Sequence, residues 1–148
     1  MFYDEYFNDF HGVADFIEKI KKETYQKGYT ETIFGRKRFF PEIKSPIEYI
    51  RKEAERMAVN APIQGSAADF IKIAMVKIDD FLNKKNLKES VRLLLQIHDE
   101  LLFEIKDEKI HEITPFVKDI MENVYKNDIP IKVNLLAGKN WEDMVYYE

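Results

Sequence analysis

The sequence predicts an α+β protein in which an antiparallel hairpin is covered by helices. Apolar residues recur at helical spacing in several segments, and the run LLLQIHDELLFEI at residues 93–105 has two strand-like halves. Helices that flank paired strands are typical of this class. With 148 residues, 45% of them hydrophobic, the chain is long enough for a core of its own, and we expect a single domain over residues 1–148.

Composition excludes several function classes. Charged residues make up 34% of the chain but the net charge is −4, so any basic surface for a nucleic acid must be local. The absence of cysteine excludes disulfides and thiolate metal sites and fits a reducing compartment. The acidic, aromatic N-terminus is unlike a signal peptide, and no apolar window reaches the roughly 18 residues of a membrane span. We therefore expect a cytoplasmic protein without a membrane partner.

The first elements are a helix and a basic ribbon. One apolar face runs through residues 13–27, and Gly28 is expected to end that helix. The segment YTETIFGRKRFFPEI favours a two-stranded ribbon that turns at Gly35 and ends at Pro41. Its tip is the only dense basic patch, and it indicates either a phosphate contact or a solvated turn. The basic residues of that patch are Arg36, Lys37 and Arg38.

Two helices are predicted next, separated by a break at Pro62. The first begins at Pro46 and runs to about Ala61. The second begins at SAAD, residues 66–69, where a serine and an acid three positions later resemble a capping box.

A row of amide and guanidinium groups lies on these helices. Arg56 and Asn60 are four residues apart, and Gln64 continues the row if the helix resumes after the break. Such side chains donate to the acceptors that the DNA minor groove presents at every base pair. The alternative is a solvated helix face.

The last elements are the hairpin, a helix and a strand. Strands are expected at residues 93–97 and 101–105, a helix at 110–124 that is kinked or restarted at Thr114 and Pro115, and a closing strand at 131–136.

Three polar residues, His98, Asp99 and Glu100, occupy the middle of the hairpin run, where burial of charge is costly. Adjacent carboxylates on a rigid turn can hold Mg²⁺ when substrate phosphates supply the other ligands. An ordinary hairpin turn is the alternative. A zinc-type role for His98 lacks a second ligand at helical spacing.

Together, GYTETIFGRKRFFPEI, RKEAERMAVNAPIQGSAADFIKIAM and LLLQIHDELLFEI resemble, in order and spacing, the C-terminal part of the family A DNA polymerases, the DNA polymerase I family. GKNWEDM is similar to the closing segment of that family. The resemblance covers about residues 12–141. It implies a palm-type antiparallel sheet made of the hairpin and the C-terminal strand, a partial fingers-like segment and basic ribbon at 1–45, and a palm-like segment at 46–148.

The resemblance also implies residue roles. Asp99 would be a catalytic carboxylate and metal ligand of a two-Mg²⁺ site, and Glu100 a less critical neighbour. His98 would contact the primer terminus. The minor-groove row would comprise Arg56, Asn60 and Gln64, and the template backbone would be contacted by Arg36, Lys37 and Arg38.

The upstream palm aspartate and the nucleotide-binding fingers helix of the family have no counterpart in these residues. We therefore expect an incomplete two-ion site, no polymerase activity of the isolated chain, and a dNTP partner only when the fingers region is supplied. The expected partners are primer-template DNA and either an upstream polymerase chain or a second copy bound through an exposed sheet edge. The alternatives are a non-catalytic duplex-DNA-binding module, a subunit of a split polymerase, or a metal-dependent phosphohydrolase that uses His98 and Asp99.

Overall fold

The computed structural model describes residues 6–7, 9–126 and 128–147. Its elements are α1 (His11–Lys27), β1 (Tyr29–Glu31), β2 (Lys37–Phe39), a 3-10 helix (Pro41–Lys44), α2 (Glu48–Lys84), β3 (Val91–Ile97), β4 (Glu100–Ile105), a second 3-10 helix (Asp107–Lys109), α3 (Ile110–Glu122), β5 (Leu136–Ala137) and β6 (Val145–Tyr146). Contacts divide the chain into two compact units, with the boundary after Asp69. The expectation of a single domain stays a prediction. Among the described residues, no helix has the length and apolarity needed to cross a membrane.

The first unit contains α1 and the basic ribbon. Helix α1 ends as predicted at Gly28, which has a φ of 79° and donates its N–H to the carbonyl oxygen of Thr24 at 2.7 Å. Strands β1 and β2 pair antiparallel, with Thr30 opposite Arg38. Gly35 has a φ of 81° in the turn between them, a conformation that glycine adopts without strain. The predicted ribbon is therefore confirmed.

Helix α2 is continuous through Pro62, so the predicted break at that residue is wrong. The capping box at Ser66 is also wrong, because the Ser66 hydroxyl donates to the carbonyl oxygen of Pro62 at 2.5 Å, inside the helix. A proline removes one helical hydrogen bond. Tertiary packing offsets that loss, since small apolar residues of α2 are buried against Phe40 and Ile43. They are Ala54, Ala58 and Ala61.

The second unit is built around the β3–β4 hairpin, α3 and the C-terminal part of α2. Strands β3 and β4 pair antiparallel, with an irregularity between Leu93 and Leu95. The apolar core is formed by Ile78, Leu82, Leu87, Val91, Ile113 and Val117. Helix α3 runs through Pro115 as one helix, so a restart at that residue is wrong.

The predicted C-terminal strand is largely absent. Residues 131–135 form no strand, and only Leu136–Ala137 pairs, with Val145–Tyr146. The N–H of Val133, which a strand would offer to a neighbour, instead donates to Glu122 Oε1 at 2.9 Å. The predicted third strand of the hairpin sheet is therefore wrong, and the described strands form three separate two-stranded sheets.

Candidate nucleic-acid interface

A row of three exposed polar side chains lies on α2 in the first unit. Arg56, Asn60 and Gln64 are four residues apart on one continuous helix. Each four-residue step rises about 6 Å and turns about 40°, so the row is about 12 Å long and keeps to one side of the helix. The sequence placed Gln64 in this row only if the helix resumed after Pro62. Continuity of α2 places it there.

The basic residues of the ribbon are divided between its two faces, because side chains alternate along a strand. Lys37 shares a face with Glu31 and Tyr29: its Nζ lies 3.5 Å from Glu31 Oε1 and 4.4 Å from the Tyr29 ring centroid. The hydrogen bond with Tyr29, together with the charge of Glu31, raises the pKa of Lys37 above its ordinary value. Lys37 therefore keeps its positive charge at neutral pH.

Arg36 and Arg38 lie at a cleft between the ribbon and α2. The cleft has a volume of about 70 Å³, and Gln64 of the polar row also lines it. The complete lining is Thr30, Thr32, Arg36, Arg38, Ala61, Gln64 and Gly65. This cleft in the first unit therefore brings together Arg36 and Arg38 of the predicted basic patch and Gln64 of the predicted groove-binding row.

The two arginines differ in their contacts. Arg36 Nε donates to Asp69 Oδ1 at 2.7 Å, and Arg36 Nη2 donates to the carbonyl oxygen of Gly65 at 3.0 Å. Arg38 lies over the Phe40 ring at 5.2 Å, and its Nη2 is 4.0 Å from Met57 Sδ. Arg36 is held by charge-assisted hydrogen bonds, whereas the contacts of Arg38 are weak.

Gly65, Ser66 and Asp69 are site residues that the sequence analysis missed, since it assigned residues 66–69 to a helix start. They anchor the ribbon to α2: Ser66 Oγ accepts the N–H of Ile33 at 3.0 Å, and Asp69 accepts from Arg36. A glycine inside a helical pattern often marks a place where another segment packs closely, so Gly65 is the signal that could have identified this contact.

Gly65→Ala is expected to destabilise the first unit by about 1–2 kcal/mol. The added methyl carbon would lie 2.7 Å from Thr32 Cγ2 and 3.3 Å from Arg36 Nη2, and this clash outweighs the gain of about 1 kcal/mol in helix propensity. Thermal denaturation followed by circular dichroism measures the effect. Gly12→Ala is the matched control because its methyl group would meet nothing within 4 Å. Equal melting temperatures for the two variants would contradict the expectation.

The acidic hairpin belongs to the second unit. His98 and Asp99 form the two-residue turn between the paired residues Ile97 and Glu100. His98 has a φ of 51°, and its carbonyl oxygen accepts a hydrogen bond from Gln96 Nε2 at 2.6 Å. The side chains of His98, Asp99 and Glu100 are exposed, so the burial cost expected from the apolar run does not arise.

Asp99 and Glu100 offer adjacent oxygen ligands of the kind that Mg²⁺ prefers. Among the described residues, however, no group of three or more histidine, aspartate or glutamate side chains is placed to hold a metal ion. The two carboxylates therefore fit part of an oxygen-ligand site, and the described residues do not complete it. His98 likewise has no set of partner ligands there.

Comparison with known proteins places these features in a family. The sequence profile of DNA polymerase family A matches residues 1–143. The chain is 44% identical to DNA polymerase I of Mycobacterium bovis over 139 residues, which is 94% of this chain and 15% of that protein. It is 45% identical to DNA polymerase I of Bacillus subtilis over 142 residues, 96% of this chain and 16% of that protein. The chain thus spans about one-sixth of the length of these relatives.

A solved structure is also similar. It is the POL domain of Pol1 from M. smegmatis in complex with DNA primer-template and dNTP. The match has a TM-score of 0.82 and 43% sequence identity, and it covers 87% of this chain and 22% of that chain.

Proposed function

The chain belongs to DNA polymerase family A, and from that premise we propose that it is part of a template-directed DNA polymerase and holds the primer-template duplex along its minor groove. The observation that carries the proposal is the row of Arg56, Asn60 and Gln64 on one continuous helix beside the basic ribbon. The proposal is also supported by the similar M. smegmatis domain, whose structure contains a primer-template and dNTP.

The chemistry of the row suits a duplex of any sequence. Arg, Asn and Gln side chains donate hydrogen bonds, and every base pair presents acceptors in the minor groove. A row about 12 Å long covers roughly three base-pair steps of 3.4 Å each. Such contacts depend on the regular shape of correctly formed base pairs and do not distinguish one base from another.

The ribbon would contact the phosphate backbone next to the groove. Arg36 and Arg38 line the cleft that Gln64 also lines, and Lys37 lies on the other face of the ribbon. Neutralisation of phosphates releases counterions, which supplies affinity that is independent of sequence. Groove and backbone contacts would therefore come from neighbouring parts of the first unit.

In the second unit, we assign Asp99 as one carboxylate ligand of a divalent-metal site, with Glu100 beside it and His98 near the primer terminus. A bound metal pair would stabilise the charge that develops during nucleotidyl transfer. Asp99 stands in the two-residue turn of a hydrogen-bonded hairpin, and the paired residues on either side would restrict the position of its carboxylate. Since no cluster of three ligands occurs among the described residues, the 148 residues by themselves are expected not to extend a primer.

Completion of the site would require a second polypeptide surface. Among the residues that the structure describes, the β3–β4 sheet has two strands, and Leu94 and Leu95 on β3 are 50% and 48% exposed. An upstream polymerase segment that carries the further carboxylates and the nucleotide-binding helix is the proposed partner, and a second copy of the chain is the other candidate. Sedimentation that shows a monomer at high concentration would count against the second copy.

Gln64→Ala is expected to weaken binding of a primer-template duplex about five- to tenfold, which corresponds to the loss of a hydrogen bond worth about 1–1.4 kcal/mol. The loss should be equal for two duplexes of unrelated sequence, because the groove acceptors are common to all base pairs. Fluorescence anisotropy measures both affinities.

Gln26→Ala is the control for that measurement, since Gln26 is an exposed amide on α1 and is not part of the row on α2. If Gln64→Ala and Gln26→Ala bind the duplex equally well, the groove-binding role of the row is wrong.

A further inference from the structure

We propose that Asp69 is a positioning residue that fixes Arg36 against α2, so that the ribbon presents Lys37 and Arg38, and not Arg36, to the phosphates of bound DNA. The consequence for DNA rests on the proposed function. The positioning role itself rests on contacts within the first unit and can be tested without DNA.

The ion pair between Arg36 and Asp69 is asymmetric in exposure. The Asp69 side chain is 9% exposed, whereas the Arg36 side chain is 50% exposed. A buried carboxylate is costly unless it is paired. The buried Asp69 therefore determines the position of the more exposed Arg36 guanidinium. Arg36 uses Nε for Asp69 and Nη2 for the carbonyl oxygen of Gly65. To reach a phosphate with these nitrogens, Arg36 would have to break its hydrogen bonds with Asp69 Oδ1 and with the carbonyl oxygen of Gly65.

Other contacts hold the same ribbon turn. Ser66 Oγ accepts the N–H of Ile33 at 3.0 Å, and Thr32 Oγ1 accepts the N–H of Arg36 at 3.2 Å. Gly65, which leaves no room for a side chain, permits this approach. Asp69 follows Ser66 by three positions and Gly65 by four on α2, so it lies on a part of the helix surface that neighbours both. Gln64 precedes them directly, so the same anchor sets the distance between the ribbon and the polar row.

Lys37 and Arg38 are held far less strongly. Lys37 has an ion pair with Glu31 at 3.5 Å, with both side chains about half exposed, and its Nζ lies 4.4 Å from the Tyr29 ring centroid. Both are weak surface contacts. Arg38 has the sulfur contact at 4.0 Å and the ring contact at 5.2 Å. Both cations can therefore turn towards a phosphate at little cost.

The DNA-free test is amide hydrogen exchange of the complete chain, read by NMR. In Asp69→Asn, the amides of Thr32, Ile33 and Arg36 are expected to exchange about tenfold faster, because the neutral amide removes the charge that strengthens the hydrogen bond from Arg36 Nε. Amides of the β3–β4 hairpin serve as the internal reference and should not change. Adding Asp69→Asn to Arg36→Gln should produce no further acceleration, because the two side chains act as one unit.

Arg36→Lys is a milder variant for the case in which Asp69→Asn unfolds the unit. It retains the positive charge but cannot form both hydrogen bonds, so it should accelerate exchange of the same three amides. Unchanged exchange of these amides in both single variants would overturn the positioning role.

The DNA test is the salt dependence of duplex binding. Each phosphate contact contributes about 0.9 to the slope of log affinity against log salt. Lys37→Gln and Arg38→Gln should each reduce the slope by about that amount, whereas Arg36→Gln should lower affinity with the slope unchanged. A slope reduced by about one in Arg36→Gln would show a direct phosphate contact and overturn the assignment. If the unsubstituted chain binds no duplex at any salt concentration, the proposed function fails and the exchange experiment alone decides the role of Asp69.

Discussion

Asp99→Asn is expected to reduce template-directed primer extension by about a thousandfold or more when this chain is combined with a polypeptide that carries the upstream palm strand and fingers helix of the family. Loss of a ligand from a catalytic metal site removes several kcal/mol of transition-state stabilisation, and each 1.36 kcal/mol is a factor of ten in rate. The measurement is primer extension with Mg²⁺ and dNTPs, read on a denaturing gel.

Two further variants calibrate that experiment. Asp128→Asn removes the same charge from an exposed position of the second unit outside the hairpin and should leave the rate unchanged. Glu100→Gln should have a smaller effect than Asp99→Asn, because the family resemblance gives Glu100 a less critical place. Equal rates for Asp99→Asn and Asp128→Asn would contradict the assignment of Asp99.

The same assay tests the chain alone. No extension product is expected, because a two-metal site needs more carboxylates than Asp99 and its neighbour Glu100 supply. A product that forms with the chain alone and disappears in Asp99→Ala would show this expectation to be wrong. If the combined polypeptides bind duplex through Gln64 but never extend it, a non-catalytic duplex-DNA-binding module becomes the better assignment.

The second large effect is on stability. Ile113→Ala should lower the free energy of unfolding of the second unit by about 2–5 kcal/mol, the range for isoleucine-to-alanine substitutions in a packed core. Ile113 is fully buried and packs in the cluster with Ile78 and Val117. Hydrogen exchange of the α3 and β3 amides reports the loss for this unit separately from the first.

Ile129→Ala is the matched control, because Ile129 is 78% exposed. That substitution should change stability by no more than about 0.5 kcal/mol. A similar loss in the two variants would mean that Ile113 does not contribute to the core as its burial indicates.

Glycine positions and short polar turns in the sequence correctly predicted where helix α1 ends and where the ribbon and the hairpin turn. Gly28 ends α1 and Gly35 lies in the ribbon turn, in both cases with a positive φ that glycine adopts without strain. The hairpin also follows from local pattern, since two apolar runs flank a short polar turn. Two of the motifs that carried the family resemblance lie on the ribbon and the hairpin, and a third lies on α2. The sequence comparisons confirm the family. The roles of individual site residues stay predictions.

Tertiary contacts decided what local signals could not. A proline and a serine with a nearby acid predicted a helix break at residues 62–66. Helix α2 is nevertheless continuous there, and its Ala58 and Ala61 are buried in a cluster with Phe40 and Ile43. The closing strand was predicted from apolar residues, but Glu122 binds the Val133 N–H that a neighbouring strand would need.

By itself, the sequence determined the family, the backbone turns and the chemical types available at the site. Only the tertiary structure decided which groups meet: Arg36 with Asp69 and Gly65, and Gln64 with the cleft. The physical reason is that turn conformation and periodicity are properties of neighbouring residues, whereas the pairing of a buried charge depends on residues 33 positions apart that come together only when the chain folds.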